Sequence, residues 1–475
     1  MATAGGAGRR PFAAVTIAGA IGIALVVASG PALADTLEWA LVQAYQNNPV
    51  LNAQRASLRA QDEAVPQALS GYRPRVSATA SVGNQLQQTL TKTVTGIGPV
   101  YTGSGADFTP HSVGLTATQT LFNGFQTANR TRQAEAQVSS GRATLAVTEQ
   151  TVLLNAATAY MNLLRDAAIY DLQQRNVEVL QEQLRQTRDR FNVGEVTRTD
   201  VAQAESRLAA GRAQVLRAQS NYITSRANYR QTTGVEPGKL APSAPVDRYS
   251  PRTLAAAIEA GREFNPQVAA AMFGIDVALL QVKINESSLL PTLTGQLSFN
   301  QAYETNNTTI LQQMTASAVA QLTVPIYQGG QEFSLIRQAK ETLGQQRISL
   351  DTTRDLVQQN VTQSWGQLDA AKAQIQATTA QVNSAEIALN GVREEARVGQ
   401  RTTLDVLNAQ QELVNARVAL VTAQHDRVVA SYSLLAAVGG LSVSGLGLKS
   451  SVYDPMTHYQ QVRDTWIGVR NPDGR

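Results

Sequence analysis

The sequence predicts an exported α+β membrane protein built from two copies of one structural unit, each combining short strands with very long helices. Three observations lead to this fold class. The two halves of the chain align with each other at a constant offset of 217 residues, which later becomes 205. Several short segments alternate apolar and polar residues with the period of two that is typical of strands. Two segments of roughly 65 residues contain no proline and are rich in helix-forming residues.

The first 34 residues have the pattern of an export signal. Arg9 and Arg10 precede an apolar run, and residues 32–34 (Ala-Leu-Ala) provide a small-residue cleavage site. We expect residues 1–34 to be a cleaved signal peptide; the alternative is an uncleaved N-terminal anchor. After residue 34 we expect no stretch with the ~18 apolar residues that a membrane-spanning helix needs. A membrane location would therefore depend on strands.

Composition argues against several classes of function. The formal net charge is +4, of which Arg9 and Arg10 supply two, so no nucleic-acid partner is expected. The absence of cysteine excludes disulfides, thiolate metal sites and a lipidated N-terminal cysteine. The three histidines, His111, His425 and His458, lack ligand spacing, and no catalytic constellation or phosphate loop is present. We therefore expect no metal, no cofactor and no enzymatic activity.

The internal repeat defines the domain organisation. Leu37 aligns with Leu254, and the Asn-Pro pair at 48–49 aligns with that at 265–266. From Gly124 onward the offset is 205, so the first copy has twelve extra residues between about 83 and 122. We predict a first repeat over 35–234, a proline-rich linker over 235–253, and a second repeat over 254–439. The longer segment in the first copy is interpreted as a longer loop.

Each copy contains two segments that alternate like strands, connected by a polar loop. These segments lie near 75–83 and 112–118 in the first copy, and near 293–299 and 316–324 in the second. Four strands cannot close a barrel, whereas three chains would supply about twelve. Strands with one apolar and one polar face in an exported chain suit an outer-membrane barrel, with lipid outside and water within.

Long helices follow the strands in each copy. The proline-free segments 125–190 and 331–397 would each extend about 100 Å, at ~1.5 Å per residue. After residue 403 the apolar positions recur in steps of three and four, which predicts a coiled-coil seam.

A Gly-x-x-Thr-x-x-Asp motif separates the two helices in each copy. It occurs as Gly194, Thr197 and Asp200, and again as Gly399, Thr402 and Asp405. A glycine can end a helix in the left-handed conformation, and a threonine three residues before an aspartate can form a capping box. The motif therefore predicts a corner between two antiparallel helices.

Taken together, these features resemble the TolC family of outer-membrane efflux and type I secretion channels, over about 37–439. The resemblance rests on the tandem repeat, Pro74 and Pro291, VPIYQGG (324–330), and the motifs RFNVGEVTRTDV (190–201) and VGQRTTLDVLNA (398–409). It implies a homotrimer whose 12-stranded outer-membrane β-barrel, four strands per chain, continues into a long periplasmic α-helical barrel of coiled-coil hairpins. It also implies a passive exit duct in the bacterial outer membrane, for multidrug efflux or type I protein secretion.

The resemblance also implies roles for the corner residues. Arg401 would engage Thr199 and Asp200 in a periplasmic gate, and Asp405 would contribute an acidic ring. Asn408 occupies a position where family members often have a second acid, and Ala396 one where they often have tyrosine, which suggests a looser gate. A periplasmic adaptor (membrane fusion) protein, coupled to an inner-membrane transporter of ABC or RND type, would contact the corners. The contact residues would be Val193, Gly194, Thr197, Val398, Gly399 and Thr402.

Two alternatives remain open from the sequence. A structural outer-membrane tether or adhesin with a helical spacer would share the long helices, although it would not need two matched hairpins per chain. The tail, 440–475, lies outside the repeat. We expect its aromatic residues to pack on the outside of the helical barrel, the alternative being a flexible tail.

Overall fold

The computed structural model describes residues 35–306 and 310–472, so the predicted signal peptide, 1–34, lies outside the described residues. This part of the chain contains ten α-helices and six strands. The helices are α1 (Leu37–Asn47), α2 (Pro49–Asp62), α3 (Ala64–Leu69), α4 (Gln126–Asn192), α5 (Arg198–Thr233), α6 (Leu254–Phe264), α7 (Pro266–Glu286), α8 (Gln331–Arg397), α9 (Thr403–Ala437) and α10 (Pro455–Val462). The strands are β1 (Arg75–Val82), β2 (Gln85–Thr95), β3 (Gly98–Phe108), β4 (His111–Asn123), β5 (Thr292–Asn306) and β6 (Ile310–Thr323).

The four strands predicted from alternation form one antiparallel sheet in the order β1-β4-β5-β6. Its register separates two kinds of side chain. Val76 of β1 pairs with Ala117 of β4, and Leu297 of β5 pairs with Ala318 of β6, so one face is apolar. On the other face, serine hydroxyls bond across the strands, as between Ser81 and Ser112 (2.8 Å). We call these the apolar face and the polar face of the sheet.

The longer segment of the first copy is a hairpin rather than a loop, so the loop prediction is wrong. Among the residues that the structure describes, strands β2 and β3 pair only with each other. Val82 lies opposite His111 and Gln85 opposite Phe108, so the hairpin continues the β1–β4 register without a shift. The twelve extra residues therefore lengthen two strands that project beyond the four-stranded sheet.

The long helices form two antiparallel hairpins, α4 with α5 and α8 with α9. Helices α4 and α8 each contain 67 residues, about 100 Å at ~1.5 Å per residue, as the sequence predicts. Asn48 and Asn265 cap α2 and α7, each of which begins with a proline at a position where a missing N–H costs nothing.

The main hydrophobic core lies midway along these hairpins, where α1 and α9 pack on α4. Its largest buried side chains are Leu41, Leu153, Tyr160, Tyr229 and Leu434. The Tyr160 hydroxyl lies within hydrogen-bonding distance of the carbonyl oxygens of Asp35 (2.7 Å) and Ala241 (2.6 Å), so the linker is fastened to this core.

One helical segment differs from the expectation about membrane-spanning helices. Residues Leu254–Leu289 are long and apolar enough to cross a membrane by length and composition, so the expectation that no such stretch follows residue 34 is wrong. The segment is interrupted at Asn265–Pro266, and α7 packs along α4 and α8. Only 22% of its apolar window is buried within the single chain.

The tail packs on α2, α4 and the residues before β1 through arginine–aromatic pairs. The guanidinium groups of Arg55, Arg142 and Arg73 lie over the rings of Tyr453 (5.2 Å), Tyr459 (4.9 Å) and Trp466 (4.6 Å). Below these pairs, His458 Nδ1 lies 2.9 Å from Oδ2 of the buried Asp62.

Candidate functional site

The two corners, at the far ends of the helical hairpins, bring together most of the residues that the sequence singles out. Helix α4 ends before Gly194, whose φ is +81°, and α8 ends before Gly399, whose φ is +82°. Glycine adopts this left-handed conformation without the steric cost that a side chain would impose. The next residue in each corner donates its N–H to a carbonyl five residues back, at 2.9 Å, which closes the last helical turn.

Each corner then begins its second helix with a capping box, as the sequence predicts. Thr197 Oγ1 accepts the N–H of Asp200 (3.3 Å), while Asp200 Oδ2 accepts the N–H and the hydroxyl of Thr197 (2.9 and 2.7 Å). The same three bonds join Thr402 and Asp405, at 3.2, 3.0 and 2.8 Å. These bonds use Oδ2 of each aspartate, so Oδ1 lies outside the capping box.

Hydrogen bonding sets the charge state of the two aspartates. Bonds from the Thr197 hydroxyl and N–H lower the pKa of Asp200 below its usual value. The N–H and hydroxyl of Thr402 likewise lower the pKa of Asp405. Both carboxyls are therefore ionised at neutral pH, and they give each corner a fixed negative charge.

Each corner also contains an ion pair, and the polarity of the pair is reversed between the two copies. In the first corner, Arg190 on the helix donates to Glu195 in the turn (3.0 Å). In the second corner, Glu395 on the helix accepts from Arg401 in the turn (2.8 Å). Arg190 and Glu395 occupy equivalent positions of the repeat. The corners therefore have the same backbone but opposite arrangements of charge.

The predicted bond from Arg401 to Thr199 and Asp200 is not formed within the described chain. Its guanidinium is instead bonded to Glu395, which raises the pKa of Arg401. Thr199 is exposed. Val193 and Val398, predicted to contact an adaptor, have exposed fractions of 72% and 70%.

Asn408 makes a contact between the two hairpins that the sequence did not predict. Its Oδ1 accepts a hydrogen bond from Arg207 Nη2 on α5 (2.8 Å). Next to it, Leu407 is buried against α4 and α5, in a cluster with Leu180, Leu184 and Leu208. Charged residues of both corners line a gap of about 450 Å³ between the hairpins, among them Arg190, Glu195 and Arg393. The two corners therefore belong to one charged tip.

Sequence reasoning missed five charged residues of this tip: Arg190, Glu195, Arg207, Arg393 and Glu395. A basic and an acidic residue five or six positions apart across a helix end could have suggested the two pairs within the corners. The bond between Arg207 and Asn408 joins residues 201 positions apart, and no local pattern indicates it.

The architecture agrees with comparisons to known proteins. The model of the family described as "Outer membrane efflux protein" matches residues 40–235 and 257–440. These two matched segments cover most of the chain, one for each copy of the repeat. The chain belongs to the outer membrane efflux protein family.

Individual members of the outer membrane efflux protein family are similar over nearly the whole length. Outer membrane efflux protein BepC of Brucella suis is 40% identical over 450 residues, which are 95% of each protein. Outer membrane protein TolC of Escherichia coli is 27% identical over 459 residues, 92% of this chain and 89% of TolC. The solved CmeC outer membrane channel of Campylobacter jejuni has the same fold, with a TM-score of 0.75 and 16% identity, over 90% of this chain and 89% of CmeC.

Membership of the outer membrane efflux protein family locates the chain. The protein is an outer-membrane efflux channel, with its sheet in the membrane and its helical hairpins in the periplasm. The apolar face of the sheet accordingly faces lipid, and the polar face lines a water-filled interior. The corners lie at the periplasmic end of the helices.

Proposed function

We propose that three chains form one exit duct and that their six corners form its periplasmic gate. The single-chain sheet has two unpaired edges, at β1 and β6, which a barrel of twelve strands from three chains would pair. The largely unburied apolar surface of Leu254–Leu289 supports the same assembly, because contact with neighbouring chains would remove it from water.

The observation that supports a gate is the charged tip, in which the two corners have ion pairs of opposite polarity. In a closed ring, the corner of the second copy in each chain lies beside the corner of the first copy in the neighbouring chain. Arg401 would then exchange Glu395 for Thr199 and Asp200, whose Oδ1 lies outside its capping box. Asp405 would line the constriction with negative charge and attract cations, with the neutral Asn408 three positions later on the same helix.

A periplasmic adaptor protein and an inner-membrane transporter, of ABC or RND type, would open this gate. Val193, Gly194 and Thr197 of one corner, with Val398, Gly399 and Thr402 of the other, form the exposed surface that an adaptor would reach. Exposed ion pairs contribute little stability, so the binding free energy of a partner can exceed that of the gate bonds. The duct would be passive, with transport driven by the transporter, and would serve drug efflux or type I protein secretion.

The test is the conductance of the purified protein in a planar lipid bilayer, with the variant Arg401→Ser measured beside it. We expect a low conductance for the unmodified protein and a clearly higher one for Arg401→Ser, because the variant cannot hold neighbouring corners together. Arg397→Ser, which removes a charge from the same tip, is the matched control and should behave like the unmodified protein.

The other outcomes distinguish the alternatives. If neither protein conducts, the loss of Arg401 does not open the duct, and the proposed gate is wrong. If the unmodified protein and Arg401→Ser conduct equally, the channel stands and the assignment of Arg401 to the gate is wrong.

A further inference from the structure

The β2–β3 hairpin continues the apolar face of the sheet beyond its four-stranded part. Because the register does not change, Leu86, Leu90 and Val94 lie on the same side as Val76 and Val82 of β1. The eleven residues of β2 extend about 35 Å at ~3.3 Å per residue. The lipid-facing surface is therefore longer on this hairpin than on β5 and β6.

This outer part of the apolar face is uncovered in the single chain. Leu86, Leu90 and Val94 have exposed fractions of 70%, 72% and 76%. The opposite side of the hairpin consists mainly of threonine, glutamine and serine, as in Thr89 paired with Ser104. The hairpin is thus amphipathic. Contact of its apolar side with a surface other than water would be favourable.

The hairpin joins the four-stranded sheet through a short break in both strands. The regular strands are interrupted at 83–84 and at 109–110, between the four-stranded sheet and the extension. One backbone hydrogen bond crosses this break in the ladder, from the N–H of Gly83 to the carbonyl oxygen of Pro110 (3.0 Å). Beyond the junction, β2 and β3 pair with no other strand of the described chain.

We propose that this hairpin leans outward and lies on the outer leaflet of the membrane. Its apolar face continues the lipid-facing side of the barrel, so an outward lean turns Leu86, Leu90 and Val94 down towards lipid. An inward lean over the channel mouth would turn the same side chains up into water. The direction of the lean therefore follows from which face is apolar.

The polar residues of the apolar face suit the boundary between lipid head groups and acyl chains. Lys92 lies between Leu90 and Val94, and its Nζ is 5.9 Å from the ring centroid of Tyr101. A lysine can extend its ammonium to anionic lipid phosphates while its methylene groups remain among apolar atoms. Tyrosine is enriched at this boundary. Asp107, an acid on the same face, lies opposite Leu86 at the barrel end of the hairpin, away from Lys92.

The experiment uses the absence of cysteine, which allows single spin labels without background. Leu90→Cys and Thr91→Cys place a label on the apolar and the polar side of the same strand. Both proteins are reconstituted in vesicles of phosphatidylethanolamine and phosphatidylglycerol. Collisions with oxygen, which concentrates in lipid, are compared with collisions with a water-soluble nickel chelate. Val82→Cys and Thr79→Cys are the references for the lipid-facing and the water-facing side of the barrel.

We expect the ratio of oxygen to nickel collisions to be severalfold higher for Leu90→Cys than for Thr91→Cys, and to approach that of Val82→Cys. Equal, water-like ratios at positions 90 and 91 would mean that the hairpin stands upright in solvent, and would overturn the proposal. Exclusion of both reagents at position 90, with dipolar broadening between labels, would show that another copy of the chain, and not lipid, covers the hairpin. A water-like ratio for Val82→Cys would overturn the lipid-facing assignment on which the proposal rests.

Discussion

Arg401 has a partner within its own chain, and this competes with any partner on a neighbour. The guanidinium donates to Glu395 at 2.8 Å, and both side chains are about half exposed. Water and other acceptors exchange readily with such a pair, because solvent screens the attraction between the charges. Glu395 therefore favours the state in which Arg401 does not join neighbouring corners.

This competition predicts opposite effects for the two partners. Glu395→Gln should lower the conductance of the channel, because it frees Arg401 to bond Asp200 of a neighbouring chain. Arg401→Ser should raise it. Both are measured in planar bilayers at the same salt concentration. A conductance that rises in Glu395→Gln would show that Glu395 takes part in closing the gate.

The capping box of the first corner gives a prediction with a defined pH dependence. Thr197→Ala should cost about 0.5–2 kcal/mol in the local opening of the first turn of α5, since a helix N-cap is lost. Because the pKa of Asp200 is lowered in the folded state, the stabilisation that Asp200 provides is fully present above the ordinary aspartate pKa of about 3.9. It is lost as pH falls through the lowered value.

Amide hydrogen exchange of α5 at pH 7 measures the effect of Thr197→Ala. Thr197→Ser keeps the hydroxyl and is the control. Equal exchange rates in the unmodified protein and Thr197→Ala would contradict a stabilising role for this cap.

A third residue, Glu149, is partly buried, at a place where its charge is unfavourable. Burial raises the pKa of its carboxyl, although Oε1 accepts the N–H of Val443 at 3.0 Å. The amide oxygen of Glu149→Gln can accept the same bond without burying a charge. We expect the variant to unfold at a higher denaturant concentration than the unmodified protein at pH 7. The difference should disappear below the ordinary glutamate pKa of about 4.3, where both side chains are neutral. A less stable variant at pH 7 would show that the charge is needed there.

At the scale of elements, one buried hydrogen-bonded pair of side chains joins α10 of the tail to α2. Asp62 is fully buried, His458 is its partner at 2.9 Å, and burial raises the pKa of Asp62. His458→Ala would leave a buried carboxyl without this partner, at a cost of about 1–3 kcal/mol. We expect α10 to become sensitive to limited proteolysis while α4 stays protected. In His458→Gln, whose amide can still donate to Asp62, α10 should lose less of its protection from proteolysis. Equal protection of the tail in all three proteins would contradict this role of the pair.

The elements differ in how far the sequence determines them. Helices α4 and α8 could be predicted to within two residues, because glycine and capping residues stand at their ends and no proline interrupts them. The β2–β3 hairpin could not, because Gln88 and Lys92 lie between its apolar residues and break the period of two. Likewise, no pattern distinguishes Glu395 from Asp200 as the partner of Arg401, since the choice depends on the distance between corners.

At the scale of the whole molecule, the exposed apolar surface of α7 predicts how the assembly can be disrupted. Met272 on α7 is 51% exposed in the single chain. If a neighbouring chain covers it, Met272→Arg would bury an unpaired charge, and the trimer should dissociate more readily in detergent. Ile97→Arg, at the turn of the β2–β3 hairpin, is the control and should leave the trimer intact. Mass measurement by light scattering distinguishes trimer from monomer. An unchanged trimer in Met272→Arg would show that α7 faces solvent in the assembly.

The equal lengths of α4 and α8, 67 residues each, constrain how this chain can evolve. Losing one residue from either helix would shorten it by about 1.5 Å and rotate its corner by about 100°, out of line with the other copy. A deletion in one long helix therefore has to be matched in the other. The β2–β3 hairpin is not matched to the other copy in this way, because its two strands pair with no other strand of the described residues. The twelve-residue difference between the copies is found there, where a change in length can accumulate in one copy alone.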